Sequence, residues 1–396
     1  MTFEKVNLGT VCTFFNNSRK PVTRSSRVAG EYRYFGAAGI QDYVSEYLFD
    51  GDFILVGEDG TVITEDDRPV VQQVSGKFWV NNHAHVIQPN EMEDYDYLYF
   101  AISSTKVRDL VTGAVQPKLS MTNLKQLQIP WAEDSVTRLT IGSILRSLDE
   151  KIAANNALSK TLEAIAQTIF KSWFIDFDPV KAKMAGKNPA GMDAATAELF
   201  PDSMEDSELG EIPARWQVAS LGSIASIHQG KYLKPSDMSP TRSVEFPNPV
   251  EGATKIIGYS TKSTFNFNFS SVSCRGSCGF VRWICSPAWI SNNLMAIHGK
   301  GEEEINHYLH FLLKSINFES VTTGSVQGQI TITNLSSLRV IHNIKLAKRF
   351  SEMIEPIHEA ISTLERQSAA LAEIRDTLMP RLISGELQIP EEMLAS

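Results

Sequence analysis

The stretch Thr112-Gly113-Ala114-Val115-Gln116, followed by Thr122-Asn123-Leu124, decides the fold, because nearly the same string occurs twice in the chain. The second copy, 211 positions later, reads Thr323-Gly324-Ser325-Val326-Gln327, followed by Thr333-Asn334-Leu335. The same offset carries Tyr97-Leu98-Tyr99-Phe100 onto Tyr308-Leu309-His310-Phe311, and Asn81-Asn82 onto Asn292-Asn293. An offset of 213 carries Leu8-Gly9 onto Leu221-Gly222. Matches in this order indicate a long internal duplication.

Each copy has two parts. A region of short strands and turns, called a head below, comes first, and a long amphipathic helix follows it. Runs such as Asp52-Phe53-Ile54-Leu55-Val56, bounded by glycines, are typical of strands. Apolar residues at helical spacing predict a first helix over 136–174, capped by Asp134 or Ser135. A second helix is predicted over about 345–382, at an offset of 209. Pro356 should kink that helix or mark its first turn.

These patterns predict an α+β protein with two similar mixed α/β domains separated by two long antiparallel helices, a duplicated, pseudo-twofold architecture. A helix of about 36 residues is roughly 54 Å long and needs a partner for its apolar face. The alternative is that each helix folds onto its own domain. The predicted segments are a first head (1–134), a central helix (135–175), a polar connector (176–213) with one short helix near 194–199, a second head (214–343), a C-terminal helix (344–385) and a tail (386–396).

Composition excludes several classes of protein. The chain has 396 residues, a net charge of −9 and four cysteines, too few and too uneven for a disulfide framework. We therefore expect a reducing compartment such as the cytoplasm. The start of the chain has no signal-peptide pattern, and no apolar run approaches the length of a membrane span. The negative charge argues weakly against a nucleic-acid partner.

Motifs for catalysis and metal binding are missing from the sequence. It contains no phosphate-binding loop, no Gly-x-Gly-x-x-Gly and no Asn/Asp-Pro-Pro-aromatic string of amino-methyltransferases. Asp149-Glu150-Lys151 has the residue types, in order, of a metal-dependent nuclease motif. It lies within the predicted helix, however, where a solvent-exposed helix face is the better interpretation. Cys274, Cys278 and Cys285 lack the paired spacing of a zinc site, so free buried cysteines are favoured. His83 and His85 share one strand face without a nearby acid in sequence, which favours structural roles. We predict no catalytic residue, no metal site and no cofactor on this chain.

One surface has the composition that reads nucleic acid. Residues 228–300 hold eight Lys and Arg against three Asp and Glu, with aromatic and amide side chains between them. Lys and Arg neutralise phosphates, and Arg, Asn and Gln pair with base edges. The repeated Thr-Gly-x-Val-Gln places a hydroxyl, a flexible glycine and an amide in one turn, although a plain hairpin turn explains it equally well. The candidate DNA-binding residues are Arg19, Lys20, Lys77, Thr112, Gly113, Gln116, Lys118, Lys231, Tyr232, Lys234, Lys262, Arg275, Arg282, Thr323, Gly324, Ser325, Gln327 and Gln329.

The order head, helix, head, helix resembles the specificity subunit of type I restriction–modification enzymes. Supporting strings are Leu-Gly-x-[Ile/Val] at the start of each head, Tyr34-Phe35-Gly36-Ala37-Ala38-Gly39-Ile40, Phe49-Asp50-Gly51-Asp52-Phe53-Ile54-Leu55 and Leu148-Asp149-Glu150-Lys151-Ile152. Each motif is modest alone, and their order over nearly the whole chain makes the resemblance strong.

The resemblance implies a noncatalytic subunit that reads a split, asymmetric site in double-stranded DNA, one half-site per head. It also implies that the helices set the gap and dock two methyltransferase subunits, which carry S-adenosylmethionine and methylate adenine at N6. Two motor-endonuclease subunits would join them for restriction, and the resemblance implies that the assembly acts in the cytoplasm of a prokaryote. The expected docking residues are Ile144, Leu148, Ile152, Ile361, Leu364 and Leu371. A stand-alone enzyme and a coiled-coil scaffold without DNA reading are the competing hypotheses.

Overall fold

The computed structural model describes residues 2–113, 116–301, 303–323 and 328–394. The chain forms two compact units, the first built from Met1–Asn155 and Arg366–Ser396 and the second from Asn156–Glu365. Each unit therefore contains one head and one half of each long helix. This division follows contacts in space, and it differs from the predicted segments, which treat the helices as separate from the heads.

The first head is built from short strands with three short helices. Its strands are β1 (Phe3–Asn7), β2 (Cys12–Phe14), β3 (Ala29–Gly36), β4 (Gly39–Val44), β5 (Phe49–Asp50), β6 (Phe53–Gly57), β7 (Val71–Val74), β8 (Lys77–Val80), β9 (Ala84–Pro89) and β10 (Gln128–Ala132). Its helices are α1 (Leu8–Val11), α2 (Tyr95–Ser104) and α3 (Met121–Lys125).

Two four-stranded sheets of the first head enclose an aromatic core. One sheet has the order β2-β9-β6-β7 and is antiparallel, and the other has the order β4-β3-β8-β5. Strand β6 is buried along its whole length, which explains its continuous apolar run. Phe53 and Leu55 face the other sheet, whereas Ile54 and Val56 face a second core beneath α2, as the alternation of a strand requires.

The first long helix, α4 (Ser135–Phe174), matches the predicted range within one residue. Asp134 caps it, because its Oδ2 accepts hydrogen bonds from the Thr137 backbone nitrogen at 2.9 Å and from the Thr137 hydroxyl at 2.8 Å. The connector is more ordered than predicted. It contains α5 (Asp178–Met184), which begins with Pro179 at a favoured position, α6 (Ala194–Glu198), and a hairpin of β11 (Met204–Ser207) and β12 (Gly210–Pro213).

The second head repeats the elements of the first. Its strands are β13 (Gln217–Ser220), β14 (Ala225–Gln229), β15 (Asn248–Glu251), β16 (Ile256–Ser260), β17 (Phe269–Ser273), β18 (Val281–Ile284), β19 (Trp289–Ile290), β20 (Leu294–Gly299), β21 (Thr322–Thr323), β22 (Gln329–Ile330) and β23 (Arg339–His342). Its helices are α7 (Leu221–Ile224), α8 (Asn306–Ser315) and α9 (Ile332–Ser337).

The sheet topology confirms the duplication. The sheet β14-β20-β17-β18 has the same order as β2-β9-β6-β7, and the pair β13–β23 corresponds to β1–β10. The second long helix, α10 (Ile344–Ile383), has 40 residues, as α4 does, and both of its ends lie at the predicted offset of 209. Pro356 lies inside α10 and not in its first turn, which excludes the first-turn alternative.

The long helices pack on each other and on the heads at once, so the two predicted alternatives are not exclusive. In the first unit, Asn155 of α4 hydrogen-bonds Gln367 of α10 at 3.5 Å, and Asp149 forms an ion pair with Arg375. The residue numbers rise along one helix as they fall along the other, so the pair is antiparallel. Both helices also enter the head's core, and Leu145 is fully buried there.

In the second unit the same helices meet an aromatic core. Phe170 of α4 lies 5.6 Å from Phe350 of α10 and 6.1 Å from Phe311 of α8, measured between ring centroids. The predicted tail is not free of structure, because Ile389 is buried in the core of the first unit and α11 (Glu391–Leu394) follows it.

Candidate nucleic-acid interface

The repeated motif forms a narrow hairpin in the first head. Thr112 and Lys118 exchange two backbone hydrogen bonds of 2.8 Å, and the Thr112 hydroxyl donates to the Lys118 carbonyl at 3.3 Å. Gly113 has a φ of +88°, and a Cβ there would lie 2.3 Å from the carbonyl oxygen of Gln116. Only glycine fits this turn. Thr112, Gly113, Gln116 and Lys118 are exposed, so the structure brings four predicted residues together on one surface.

The second head repeats the hairpin. Thr323 pairs with Gln329 across β21 and β22, and the Thr323 hydroxyl donates to the Gln329 carbonyl at 3.2 Å. Both residues are exposed. Three further predicted positions, Gly324, Ser325 and Gln327, lie outside the described residues.

The repeated Thr-Asn-Leu strings hold the base of each hairpin. The Asn123 side chain donates to the Leu110 carbonyl at 2.8 Å, and the Asn334 side chain donates to the Val321 carbonyl at 3.4 Å. Leu124, next to Asn123, is fully buried in the head's core. These residues are therefore framework. The described, exposed hairpin position that differs between the heads is Lys118 in the first and Gln329 in the second.

A charged cluster lies against the first hairpin. Arg19 forms an ion pair with Glu58 at 2.6 Å and donates to the Ala84 carbonyl at 2.7 Å, with only 12% of its side chain exposed. Asp59 forms a β-bridge with Lys118, and their side chains pair at 3.2 Å. Because the guanidinium of Arg19 is fully engaged inside the head, Arg19 is a poor candidate for DNA contact.

The pair in the second head that corresponds to Arg19 and Glu58 is uncharged. Backbone bonds establish the equivalence, because Leu119 nitrogen donates to the Glu58 carbonyl at 2.9 Å and Ile330 nitrogen donates to the Cys274 carbonyl at 3.1 Å. Cys274 thus stands where Glu58 stands. Its thiol accepts a bond of 3.3 Å from the Gln229 side chain, which also donates to the Leu294 carbonyl at 3.1 Å, as Arg19 does to Ala84. A Gln–Cys pair has replaced an Arg–Glu pair.

His85 is a buried, neutral part of the first cluster. Its Nε2 lies 2.7 Å from the Leu119 carbonyl, which can only accept, so Nε2 carries the proton. Nδ1 then accepts from the Asn16 amide at 2.8 Å. Burial lowers the pKa of His85, and Glu58, 3.5 Å away, only partly offsets this. The structural role predicted for His85 fits this environment, and its acidic neighbour comes from a distant segment.

The remaining predicted contact residues lie elsewhere on the heads. Lys77 is exposed, with its amine 4.7 Å from the Tyr47 ring, and the interaction with Tyr47 raises the pKa of that amine. Lys262 pairs with Asp237 at 3.2 Å. Arg282 forms an ion pair of 2.7 Å with the buried Glu251, without hydrogen-bond alignment, and is a poor contact candidate for the same reason as Arg19. Also exposed, and without an ion pair among the described residues, are Lys20, Lys231, Tyr232, Lys234 and Arg275.

The predicted docking residues on the long helices are half-buried. This set is Ile144, Leu148, Ile152, Ile361, Leu364 and Leu371. Larger apolar exposure occurs at neighbouring positions that were not among the predicted docking residues. Leu139, Leu158 and Ile165 of α4 are 50%, 48% and 45% exposed, and Ile374 of α10 is 47% exposed.

Cysteine and metal chemistry add little to this surface. Cys274 is buried, Cys278 is half-buried and Cys285 is exposed, so the prediction of buried thiols was wrong for Cys285. Among the described residues, no group of three or more His, Cys, Asp or Glu side chains is placed to hold a metal ion. Within the same residues, no helix has the length and apolar character needed to cross a membrane.

Comparisons with known proteins agree with this architecture. The family described as "Type I restriction modification DNA specificity domain" matches residues 1–164 and 213–342. The MjaIX specificity subunit of Methanocaldococcus jannaschii is 24% identical over 365 residues, covering 84% of this chain and 78% of that protein. The HindI specificity subunit of Haemophilus influenzae is 24% identical over 382 residues, covering 79% and 81%. The solved S subunit of M. genitalium shares the fold with a TM-score of 0.64 at 15% identity, covering 98% of this chain and 97% of that one.

Proposed function

The chain belongs to the type I restriction–modification DNA specificity family, and from that premise we propose that it is the noncatalytic subunit that reads a bipartite, asymmetric DNA target. Each head would read one half-site through the hairpin that carries the repeated motif and the strand end beside it. One observation carries this proposal: the same hairpin and neighbouring strand end occur in both heads, and the bridged pair is Asp59–Lys118 in the first head and Arg275–Gln329 in the second.

The difference between the heads supports two unlike half-sites. Beside the hairpin the first head has Glu58 and Asp59, and the second has Cys274 and Arg275. Base edges are distinguished by their donors and acceptors, so Asp59 and Arg275, at the same position beside the hairpin, favour different bases. A symmetric target would need the same chemistry in both heads.

The long helices supply the proposed docking surface for two adenine-N6 methyltransferase subunits. Leu158 and Ile165, two turns apart on α4, are each about half exposed, and exposed apolar side chains at such spacing are typical of helix docking. S-adenosylmethionine would bind to those partners and not to this chain. Two motor-endonuclease subunits would complete the assembly.

The net charge of −9 fits a division of labour. Phosphate contacts dominate the affinity of DNA-binding proteins, and they require basic residues. We propose that the methyltransferase subunits supply part of these contacts, and that this chain alone binds DNA weakly.

Mapping of methylated adenines tests the proposal. The chain is expressed with its methyltransferase partner in a host without other adenine methylation, and the partner alone is the control. We expect methylation at one motif of two short, different half-sites separated by a fixed gap, and none with the partner alone. Methylation that ignores sequence, or that does not require this chain, would favour the scaffold hypothesis.

A further inference from the structure

The position that follows the central strand of each head carries opposite charge in the two heads. Asp59 follows β6 in the first head, and Arg275 follows β17 in the second. Each forms an antiparallel β-bridge to its hairpin, Asp59 to Lys118 and Arg275 to Gln329. The frame is the same and the side chains differ, which is the pattern expected of a position that sets specificity.

Among the described residues, Arg275 differs from three other arginines of the second head, each of which has a partner within its own unit. Arg282 pairs with Glu251 at 2.7 Å, Arg339 pairs with Glu208, and Arg242 donates to the Pro247 carbonyl at 3.1 Å. Arg275 is exposed, and within the described parts of the chain no carboxylate lies within 4.0 Å of its guanidinium. Its planar set of donors is therefore available to a ligand.

The residue next to Arg275 in the chain explains why the guanidinium stays unpaired. In the first head, Lys118 finds Asp59 at 3.2 Å and Glu58 at 3.8 Å. In the second head the equivalent of Glu58 is the neutral Cys274, held by Gln229. A cation at the second hairpin thus has no carboxylate from the equivalent of Glu58 to pair with. A hydrogen-bond acceptor on a ligand would satisfy its donors.

We propose that Arg275 is a specificity-determining residue that reads a guanine in the half-site of the second head, an inference that rests on the proposed function. Guanine presents two acceptors, N7 and O6, in the major groove, and the arginine fork matches both at once. Gln329, exposed beside it, would contact the neighbouring base pair. In the first head this position carries Asp59, whose carboxylate only accepts hydrogen bonds and so cannot pair with the two acceptors of guanine.

The test compares the full chain in complex with its methyltransferase partner as wild type, Arg275→Ala, Arg275→Lys and Arg242→Ala. Methylation rates are measured on duplexes in which every half-site position is varied in turn. For Arg275→Ala we expect preference for guanine at one position to fall roughly 5- to 150-fold, the loss of one bidentate contact. Preference at every position of the other half-site should stay unchanged.

The two other variants separate base reading from charge. Arg275→Lys keeps the positive charge but loses the fork, so it should also lose guanine preference while the salt dependence of binding persists. Arg242→Ala removes an exposed arginine of the same head and should leave the preference profile as in wild type.

Several results would overturn the inference. One is an equal fall in the methylation rate on all sequences with Arg275→Ala, which indicates a phosphate contact. Another is wild-type guanine preference in Arg275→Lys. A third is a target with no guanine–cytosine pair in the affected half-site. A wild-type complex that methylates no split motif would instead refute the proposed function itself, and the two failures are thereby distinguished.

Discussion

The Nδ1 atoms of His307 and His358 lie 2.7 Å apart, so one imidazole donates and the other accepts, and the pair is stable only while at least one ring is neutral. Trp283 stacks on His307 with 4.6 Å between ring centroids, and His358 is 4% exposed. The pair therefore lies inside the second unit, between α8 and the first half of α10.

This pair should make the second unit sensitive to acid. Burial, and then the charge of the partner ring, lowers the pKa of His307 to about 3; burial, and then Lys314, lowers that of His358 to about 4. Unfolded histidine titrates near 6.5. As the pH falls below about 6.5, these histidines bind protons in the unfolded state but not in the folded state. The free energy of unfolding therefore falls until about pH 4 to 3. The loss between pH 7.5 and pH 5 should be roughly 2 kcal/mol per histidine.

Hydrogen exchange of α8 and the first half of α10 at pH 7.5 and pH 5 measures this effect. His358→Gln should flatten the pH dependence, whereas the exposed His83→Gln in the other unit should not. Equal protection at both pH values in the wild type would contradict the prediction.

Gly113→Ala should disorder the first hairpin. The added Cβ would lie 2.3 Å from the Gln116 carbonyl in a backbone with φ of +88°. Gly60→Ala is the matched control, because Gly60 has the same φ and no atom within 4 Å of the added Cβ. Both variants incur backbone strain of about 1 kcal/mol, and only Gly113→Ala adds a clash. We expect faster exchange over residues 110–118 and weaker discrimination in one half-site for Gly113→Ala, and a clearly smaller effect for Gly60→Ala.

Asn123→Ala should destabilise the first unit by about 1 kcal/mol. Its side chain donates to the Leu110 carbonyl at 2.8 Å, and removal leaves that acceptor without its partner. Thr122→Ala, next to it and exposed, should change the urea midpoint by less than about half as much. Equal midpoints for the two variants would show that the Asn–Leu bond contributes nothing.

Leu158→Asp combined with Ile165→Asp should abolish binding of the methyltransferase partner. Both side chains are about half exposed, so the charges cost the isolated chain little, but they would be buried in the proposed interface. Ala164→Asp is the control, because Ala164 is exposed and lies about 100° round the helix from Ile165. Co-purification and thermal unfolding measure the two effects. Loss of folding in the double variant, or full binding, would count against this docking surface.

The long helices were predictable from the sequence because they depend on local periodicity. The duplication was predictable because the two copies share matching strings at nearly constant offsets. The ends of α4 and α10 keep the offset of 209 found in the sequence pattern, and the Asp134 cap lies directly before its helix. The Thr-Asn-Leu string that follows each hairpin motif was recognised as a repeat from the sequence. Its role at the base of the hairpin became visible only in the structure.

The charged cluster was not predictable, because its members are far apart in the chain. Arg19 meets Glu58 39 residues away, and the exposed appearance of Arg19 in sequence gave no sign of that pair. The same reason applies to Arg282 and Glu251. In the connector, the predicted short helix near 194–199 is α6, capped by Asp193, which accepts from the Thr196 nitrogen at 2.8 Å. Helix α5 and the β11–β12 hairpin were not predicted.

The first unit is assembled from two segments separated by the whole of the second. Leu8 and Leu145 share a core with Leu382 and Ile389. During translation at roughly 5–20 residues per second, the ribosome therefore releases the amino-terminal head tens of seconds before the segment that completes its core exists. The second unit, which is continuous in sequence, has no such delay. The early head must wait with an apolar surface uncovered, and this interval is when chaperones would be needed most.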